Sequence, residues 1–451
     1  MTTPRRVLVV GLGVNNRPLL PYFADRGVEV VAADRRPQAE LEVEGLSART
    51  WCTGPDYLRE ALRHGPYDEV YLTPGMVKDG PEIRALVAAG ARLRCETDLF
   101  LSLCPAPVIG ITGSAGKTTT TTLVGEMLKA DGSRPVFVGG NIGVPLLPRL
   151  GEIRPDAWVV MELSSFQLEL VERSPHGAAL LNLAPNHLDV HGSFGAYVAA
   201  KARIFAFQGP DDWLVLPDRL DPVEDRVAAA RSAVWRFSDR GPVPRGTYLA
   251  DGILWWRQDG APEALAPRAA LKLKGAMNVR NALAASLVAR LAGARLEAVA
   301  AVLERFEGVP HRLEPVAEVD GVRYVNDSIA TAPDRTLAAL EALEGPLVVI
   351  AGGYDKHLDY AELGRALSRR ARAVVLLGQT AEKIARAIGS GPVVRRAADL
   401  AEAVAVARSL ARPGDTVVLS PASASYDQYR NFEERGEHFR ALVRALAGQA
   451  P

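Results

Sequence analysis

The sequence has 451 residues, of which 48% are hydrophobic and 24% are charged, and its 53 basic and 53 acidic residues give a net charge of zero. This balance offers no argument for nucleic acid or a membrane surface as a partner. Three cysteines without metal-ligand spacing favour a reducing compartment, and no apolar stretch approaches the length of a membrane span. We therefore expect a cytoplasmic protein of about three domains.

The N-terminal part, residues 1–94, is predicted to form a small α/β unit. A strand at 6–10 leads into the glycine turn Gly11-Leu12-Gly13, and a second strand ends at Asp34, which together resemble a dinucleotide-binding fingerprint. Asn16 stands where that fingerprint has its third glycine. A Rossmann-like domain that binds no NAD is therefore at least as good an interpretation.

A phosphate-binding loop opens the central part, which we place at residues 95–308. An apolar strand at 108–111 is followed by Gly113-Ser114-Ala115-Gly116-Lys117-Thr118-Thr119 and then by the apolar face of a helix. Such a turn directs backbone N–H groups at an anion, while Lys117 adds a positive charge for phosphate oxygens. The hydroxyl of Thr118 lies where Mg²⁺ would bind. The motif predicts a nucleoside triphosphate site.

Polar residues follow the next predicted strands of the central part. A strand at 158–161 ends at Glu162, and an acid at this end of a strand beside a phosphate loop is a candidate Mg²⁺ ligand. His187 follows another strand, and a helix predicted at 194–207 carries Lys201. Taken alone, this lysine is explained as a surface residue, because a free ammonium beside Mg²⁺ would repel the ion.

The C-terminal part, residues 309–451, is predicted to be a second doubly wound domain. Apolar strands at 347–350, 373–377 and 416–419 alternate with helical segments, and polar or glycine-rich segments follow their ends. The expected fold class is thus α/β with three domains. The first and third would be Rossmann-like, and the central one would have the mixed sheet of a P-loop ATPase.

Several motifs in one order give the sequence a resemblance to the Mur ligases that covers essentially the whole chain. The motifs are Gly110-Ile111-Thr112-Gly113, Gly116-Lys117-Thr118, Gly139-Gly140-Asn141-Ile142-Gly143, Glu162-Leu163-Ser164-Ser165-Phe166-Gln167-Leu168, His187-Leu188-Asp189, Lys201, His311-Arg312, Asn326-Asp327-Ser328 and Gly353-Tyr354-Asp355-Lys356. The stretches 162–168, 420–425 and 431–436 are most similar to the members that add glutamate.

The resemblance implies an ATP-dependent amide ligase. It would add glutamate, with D-glutamate expected, to UDP-N-acetylmuramoyl-L-alanine through an acyl phosphate, releasing ADP and phosphate in peptidoglycan precursor synthesis. The three domains, 1–94, 95–308 and 309–451, would bind the UDP sugar, ATP and the incoming amino acid. ATP, Mg²⁺ and a carbamylated Lys201 are the implied cofactors, and a monomer without nucleic-acid or membrane partners is expected.

The resemblance also implies roles for individual residues of this sequence. The catalytic set is Lys117, Glu162, His187 and Lys201, and the Mg²⁺ ligands are Thr118, Glu162, His187 and Lys201. ATP would contact Gly113, Ser114, Ala115, Gly116, Lys117, Thr118, Thr119, Asn278, Asn281, Arg312 and Asp327. The UDP substrate would contact Val14, Asn15, Asp34, Arg35, Thr73, Asn141 and His187. The amino acid would contact Thr331, Lys356, Ser425 and Phe432.

Two departures from the family pattern bear on the amino-acid side. Ile329 stands where much of the family has a lysine close to the reacting groups, and His357 follows Lys356 where glycine is usual. Either another cation compensates at 329 or substrate handling differs, which leaves addition of L-glutamate open. Other readings are a different Mur or folylpolyglutamate-type ligase, an NAD-dependent oxidoreductase and a nucleotide-binding switch without ligase activity.

Overall fold

The computed structural model describes residues 4–41, 43, 45–141, 145–273, 275–356 and 358–448, without the side chain of Asp189. The chain divides into two compact units, Met1–Glu307 and Gly308–Pro451. Two β-sheets lie in the first unit and one lies in the second. Within the described residues, no helix is long and apolar enough to cross a membrane.

The first sheet has five parallel strands. They are β1 (Arg6–Val10), β2 (Glu29–Asp34), β3 (Thr50–Thr53), β4 (Glu69–Leu72) and β5 (Arg92–Arg94), in the spatial order β3-β2-β1-β4-β5. The intervening helices are α1 (Leu19–Ala24), α2 (Tyr57–Arg63) and α3 (Pro81–Ala88). The central strands β1 and β2 consist mainly of consecutive apolar residues because both of their faces are buried.

The second sheet has nine strands and carries the phosphate-binding loop. Its strands are β6 (Val108–Thr112), β7 (Val136–Gly140), β8 (Trp158–Glu162), β9 (Gly177–Leu180), β10 (Trp213–Pro217), β11 (Ala233–Ser238), β12 (Gly246–Ala250), β13 (Ile253–Arg257) and β14 (Glu263–Pro267). The spatial order is β14-β13-β12-β11-β10-β9-β6-β8-β7, with β12, β13 and β14 paired antiparallel and the other strands parallel. The sheet is therefore mixed, as expected.

Helices cover both faces of this sheet. They are α4 (Glu96–Leu103), α5 (Lys117–Asp131), α6 (Ser165–Leu168), α7 (Leu188–His191), α8 (Phe194–Ala206), α9 (Glu224–Ala228), α10 (Ala276–Leu291) and α11 (Leu296–Arg305). Helix α5 packs against α10 and α11, and α6 packs against α8. A buried Arg94 at the end of β5 forms ion pairs with Asp98 of α4 at 3.0 Å and with Glu172, which follows α6, at 3.1 Å.

The third sheet forms the core of the second unit. Its strands are β15 (Glu314–Val319), β16 (Val322–Asn326), β17 (Leu347–Gly352), β18 (Ala371–Leu377), β19 (Val393–Arg396) and β20 (Thr416–Leu419), in the order β15-β16-β20-β17-β18-β19. Only β15 pairs antiparallel among these described strands. The helices are α12 (Pro333–Ala342), α13 (Ala361–Arg370), α14 (Ala381–Ala387), α15 (Leu400–Leu410) and α16 (Phe432–Leu446).

These three sheets with their flanking helices confirm the α/β fold class and its three parts. The boundary between residues 94 and 95 stays a prediction, because the first two sheets share one compact unit. In each sheet the parallel strands end on the same edge, so the polar segments that follow them gather there. In each unit, the candidate site residues lie at or near those strand ends.

Candidate active site

The phosphate-binding loop connects β6 to the N-terminus of α5. Gly116 has a left-handed backbone with φ +82°, and a Cβ atom there would lie 2.2 Å from Oδ1 of Asn281 on α10. Glycine is therefore required both by the backbone and by the neighbouring side chain. Asn281 is 3% exposed and donates to Oδ1 of Asn278 at 3.2 Å, which places these two predicted ATP contacts beside the loop.

The loop is also fixed by the segment that follows β9. The backbone N–H of Ala115 donates to Oδ1 of Asn182 at 2.8 Å, and the Asn182 amide donates back to the Ala115 carbonyl at 2.9 Å. Ser114 Oγ donates to the carbonyl of Ala184 at 3.0 Å and lies 2.9 Å from the hydroxyl of Tyr197. The sequence analysis gave no role to Asn182 or Tyr197, because only the fold brings them to the loop.

Lys117 and Thr118 begin α5, where the first backbone N–H groups of a helix have no acceptor within it. The ammonium of Lys117 donates to the carbonyls of Gly113 at 3.0 Å and Ser114 at 3.4 Å, so its charge lies over the loop. The hydroxyl of Thr118 donates to Oε2 of Glu162 at 2.7 Å. This arrangement gathers amides, a cation and two oxygen ligands at one end of the helix.

Glu162 ends β8 and is held from both sides. Its Oε2 accepts from Thr118, and its Oε1 accepts from the side-chain amide of Asn141 at 2.7 Å. The carboxylate is 2% exposed. Glu162 and Asn141 were assigned separately by resemblance, and the structure brings them into direct contact. Ile142 and Gly143 of the same glycine turn lie outside the described residues.

Lys201 is buried rather than exposed at the surface. It is 1% exposed, and its Nζ donates to Oγ1 of Thr112 at 3.1 Å and to the carbonyl of Gly113 at 3.0 Å. Burial lowers the pKa of Lys201 well below its usual value, the nearby cation of Lys117 lowers it further, and Glu162 acts in the opposite direction. The environment thus favours a neutral amine at the base of the phosphate loop.

An aromatic cluster follows β8 and includes the predicted ligand His187. The centroid of the Phe166 ring lies 5.0 Å from that of His187, and the same ring stacks on His191 at 5.0 Å. His187 is exposed and has φ +53°, a left-handed conformation that is uncommon for residues other than glycine. A short helix, α7, joins the two histidines, so the packing of His191 helps to fix His187.

His191 connects the two sheets of the first unit through a polar chain that the sequence did not indicate. Its side chain is wholly buried, with Nε2 3.0 Å from Ser165 Oγ and Nδ1 3.0 Å from a carboxylate oxygen of Glu169. The other Glu169 oxygen pairs with Lys78, which follows β4. The chain runs from the loop after β4 to the segment after Glu162.

The predicted UDP-binding residues divide between a cavity and the adjacent turn. Asp34, Arg35 and Thr73 line an open cavity of about 410 Å³ at the ends of β1, β2 and β4. Its lining residues do not include Val14 or Asn15, which lie in the turn after Gly11. A Cβ atom on Gly11 would lie 2.6 Å from Thr73, which explains the glycine.

Asp34 orders the glycine turn beside this cavity. Its Oδ2 accepts from the backbone N–H of Leu12 at 2.7 Å, and Arg36 donates to both of its carboxylate oxygens. Burial alone would raise the pKa of Asp34, but the hydrogen bonds from Arg36 and Leu12 outweigh it and lower the pKa. Arg36 is therefore the partner of this carboxylate, and Arg35, predicted as a contact to the UDP substrate, lines the cavity.

Asp327 is the buried acid of the second unit. It is 4% exposed, and its carboxylate accepts from the backbone N–H of Leu313 at 3.1 Å and from Ser420 Oγ at 2.8 Å. Burial raises the pKa of Asp327 to about 6, although both hydrogen bonds oppose the shift. Arg312, the other predicted nucleotide contact of this unit, is exposed next to Leu313.

A buried arginine that the sequence analysis left without a role contacts the segments that carry two of the predicted amino-acid residues, Ser425 and Phe432. Arg435 is 3% exposed, and its Nε donates to Ser328 Oγ at 3.0 Å while Nη1 donates to the carbonyls of Ser423 and Ala424 at 3.2 Å. Ser328 Oγ donates in turn to the carbonyl of Phe432 at 2.7 Å. This arginine thus joins the segments that carry Asp327, Ser425 and Phe432.

The two remaining amino-acid candidates lie on neighbouring segments of the same unit. The segment that carries Lys356 pairs with the one before Ser425, because the N–H of Tyr354 donates to the carbonyl of Ala424 at 2.9 Å. Lys356 itself is exposed. The N–H of Thr331 donates to the Ile329 carbonyl at 2.8 Å. His357, a departure noted from the sequence, lies outside the described residues.

Two family models match the chain. One, described as the Mur ligase middle domain, matches residues 111–289, and the other, described as the Mur ligase, glutamate ligase domain, matches residues 311–423. Together the two matches include the phosphate loop, Glu162, Lys201 and Asp327, and they extend over more than half of the chain.

Curated relatives match nearly the full length of the chain. A UDP-N-acetylmuramoylalanine--D-glutamate ligase of Symbiobacterium thermophilum is 48% identical over 452 residues, covering 98% of both chains. A relative with the same name from Acetivibrio thermocellus is 39% identical over 456 residues, covering 98% of this chain and 97% of the relative.

Solved structures give a more distant match. The UDP-N-acetylmuramate-alanine ligase MurC of Thermotoga maritima aligns with a TM-score of 0.51 at 19% identity, covering 98% of this chain and 100% of that one. The MurF ligase of the same organism, in complex with ADP, aligns with a TM-score of 0.51 at 21% identity, covering 86% and 92%. These likenesses show the shared fold.

Proposed function

Because this chain belongs to the Mur ligase family, it is an ATP-dependent ligase, and we propose that it joins D-glutamate to UDP-N-acetylmuramoyl-L-alanine in peptidoglycan precursor synthesis. The names of relatives that match it end to end support these substrates. The observation that carries the proposal is the buried set of Thr118, Glu162 and Lys201 beneath the phosphate loop. We also propose that the chain acts as a cytoplasmic monomer, with domains at 1–94, 95–308 and 309–451.

ATP would bind across the N-terminus of α5. The amides of residues 113–119 and the ammonium of Lys117 would hold its phosphates, with Asn278 and Asn281 next to the adenine. We assign Arg312 and Asp327 to the phosphate and the ribose. The supporting observations are the exposure of the Arg312 side chain and the ordered carboxylate of Asp327.

The residues around Glu162 suit Mg²⁺. A threonine hydroxyl and a buried carboxylate are hard oxygen donors, the class that this cation prefers, and they lie 2.7 Å apart. Thr118 and Glu162 would hold one ion, and His187 with Lys201 would contribute to a second position. When bound, Mg²⁺ supplies positive charge that offsets the repulsion between a carboxylate and the ATP phosphates.

Lys201 suits carbamylation. A neutral amine can attack carbon dioxide, whereas an ammonium has no free electron pair. The nitrogen electron pair forms the N–C bond, one C=O π bond of carbon dioxide breaks to leave the charge on oxygen, and one N–H proton passes to water, which gives an anionic carbamate. The buried position and lowered pKa of Lys201 supply that neutral amine. The change also removes the repulsion that a free ammonium would exert on a metal ion.

The reaction then proceeds in two displacements. The carboxylate of UDP-N-acetylmuramoyl-L-alanine attacks the γ-phosphorus, a new O–P bond forms, and the bond to ADP breaks. The glutamate amine attacks the acyl carbon, a C–N bond forms, the C–O bond to phosphate breaks, and the amine gives up a proton. Lys117 and the loop amides stabilise the charge on the transferred phosphoryl group in the first step.

Each substrate has a set of proposed contacts. The cavity with Asp34, Arg35 and Thr73 would hold the UDP group, assisted by Val14 and Asn15, and Asn141 and His187 would contact the muramoyl end. Thr331, Lys356, Ser425 and Phe432 would hold the glutamate. The exposed cation of Lys356 suits a carboxylate of that substrate.

Phosphate release from ATP tests the proposal. The enzyme is assayed with UDP-N-acetylmuramoyl-L-alanine and D-glutamate, L-glutamate or no amino acid. Release that requires D-glutamate supports the proposal, and release that requires L-glutamate changes only the stereochemistry of the product. Phosphate release that depends on neither D-glutamate nor L-glutamate contradicts the substrate assignment. Full activity of Lys117→Ala would contradict the proposal as well.

A further inference from the structure

The loop at residues 326–331 carries the buried acid Asp327 but no cation of its own. Ile329 supplies an apolar side chain where the sequence resemblance calls for a lysine. The proposed reaction brings a nucleotide phosphate and carboxylates together, and such a site needs positive charge to offset their repulsion. A replacement cation should therefore come from a side chain that packs on this loop.

Among the described residues, three arginines act on this loop. Arg435 is fully buried, and its guanidinium is already engaged with Ser328 and two neighbouring carbonyls, so it holds the loop in shape. Arg312 already has a proposed role at the nucleotide phosphate. Arg335 remains without any assigned role.

Arg335 lies in the first turn of α12, four residues after Thr331. Its side chain is exposed and folds back so that Nη1 lies 3.4 Å from the carbonyl oxygen of Ile329. The guanidinium thus contacts the backbone of residue 329, the position at which the resemblance implies a lysine. Arg335 and Arg312 also both act to lower the pKa of Asp327, which is consistent with positive charge near this carboxylate.

We propose that Arg335 supplies the positive charge of this loop in place of a lysine at 329, and that it contacts an anionic group of the bound substrates. The inference rests on the proposed function, since it assumes that phosphate and carboxylate groups bind beside Asp327. A guanidinium has a fork of donors for two oxygen atoms, whereas an ammonium presents one compact charge. Arg335 can therefore reach the same anion from a different backbone position.

A charge-relocation experiment tests this inference. The variants are Arg335→Ala, Ile329→Lys and the double variant, with Arg369→Ala as a matched loss of an exposed helical arginine on α13. Steady-state phosphate release with both substrates gives kcat and the KM for glutamate, and thermal unfolding reports whether each variant is folded.

Arg335→Ala is expected to lower kcat/KM for glutamate by about 10- to 100-fold, less than the loss for a fully buried donor because this side chain is exposed. Adding Ile329→Lys to that variant should recover at least about tenfold, a non-additive rescue that a merely structural role of Arg335 would not produce. Arg369→Ala should retain wild-type kinetics.

The outcomes separate this inference from the proposed function. Wild-type phosphate release that depends on no amino acid contradicts the function itself. If the wild-type enzyme is active and Arg335→Ala is equally active, Arg335 is not the cation and the function is unaffected. A folded but impaired Arg335→Ala that lysine at 329 fails to rescue would also overturn the inference.

Discussion

Replacement of Gly116 by alanine should damage the phosphate loop more than an equivalent change elsewhere on α5. Gly116 begins the helix with φ +82°, and Gly132 ends it with φ +70°. Both residues occupy left-handed backbone, where an alanine costs about 1–2 kcal/mol. The two glycines differ in their surroundings, which makes Gly132→Ala the matched control.

The difference is a contact with one buried side chain. A Cβ atom at Gly116 would lie 2.2 Å from Oδ1 of Asn281, whereas the atom nearest to a Cβ on Gly132 is a carbonyl oxygen at 4.0 Å. Asn281 is buried and bonded to Asn278, so moving it adds an overpacking cost of about 1–3 kcal/mol. Gly116→Ala should therefore lose about 2–5 kcal/mol and Gly132→Ala about 1–2 kcal/mol.

Tryptophan fluorescence in urea measures the free energy of unfolding of the relevant unit, because all six tryptophans precede residue 308. An ADP titration measures the site directly, and Gly116→Ala should weaken ADP binding by at least about tenfold while Gly132→Ala leaves it unchanged. Truncating Asn281 to alanine should recover the stability that Gly116→Ala loses through overpacking. Equal losses of stability in the two glycine variants, with normal ADP binding, would refute this reasoning.

Three further predictions concern Glu96, Lys201 and Asn141. Burial raises the pKa of Glu96 to about 7. As the pH rises, the Glu96 carboxyl therefore loses its proton at a lower pH in the unfolded chain than in the folded protein, and the free energy of unfolding falls between pH 4.5 and pH 7. Glu96→Gln should gain about 2–3 kcal/mol in urea unfolding at pH 8, after allowance for its position in the first turn of α4, and nothing at pH 4; an equal gain at both pH values contradicts this. Lys201→Ala should release little phosphate until short carboxylic acids are added, and wild-type activity in this variant removes the carbamate hypothesis. Asn141→Ala leaves Glu162 without its amide donor and should raise the Mg²⁺ requirement by about 10- to 100-fold, whereas a change confined to the KM of the UDP substrate would assign Asn141 to substrate binding alone.

The sequence by itself determined the features that are local. The apolar run of β6, the glycines of the loop and the apolar face of α5 lie within one window, so their periodicity and turn chemistry specify a strand, a turn and a helix. The strand that ends at Glu162 was predictable for the same reason. The order of such motifs was sufficient to indicate the family and the α/β fold class.

Only the tertiary structure decided which of these residues meet and how their charges are set. Lys201 is separated by 89 positions from Thr112, its hydrogen-bond partner, and nothing near it in sequence shows that it is buried. Asn182 and His191 gain their importance in the same way, through contacts that the chain makes when distant strand ends and helices pack together. Burial and electrostatic environment depend on all neighbours in space, whereas a sequence window contains only the neighbours along the chain.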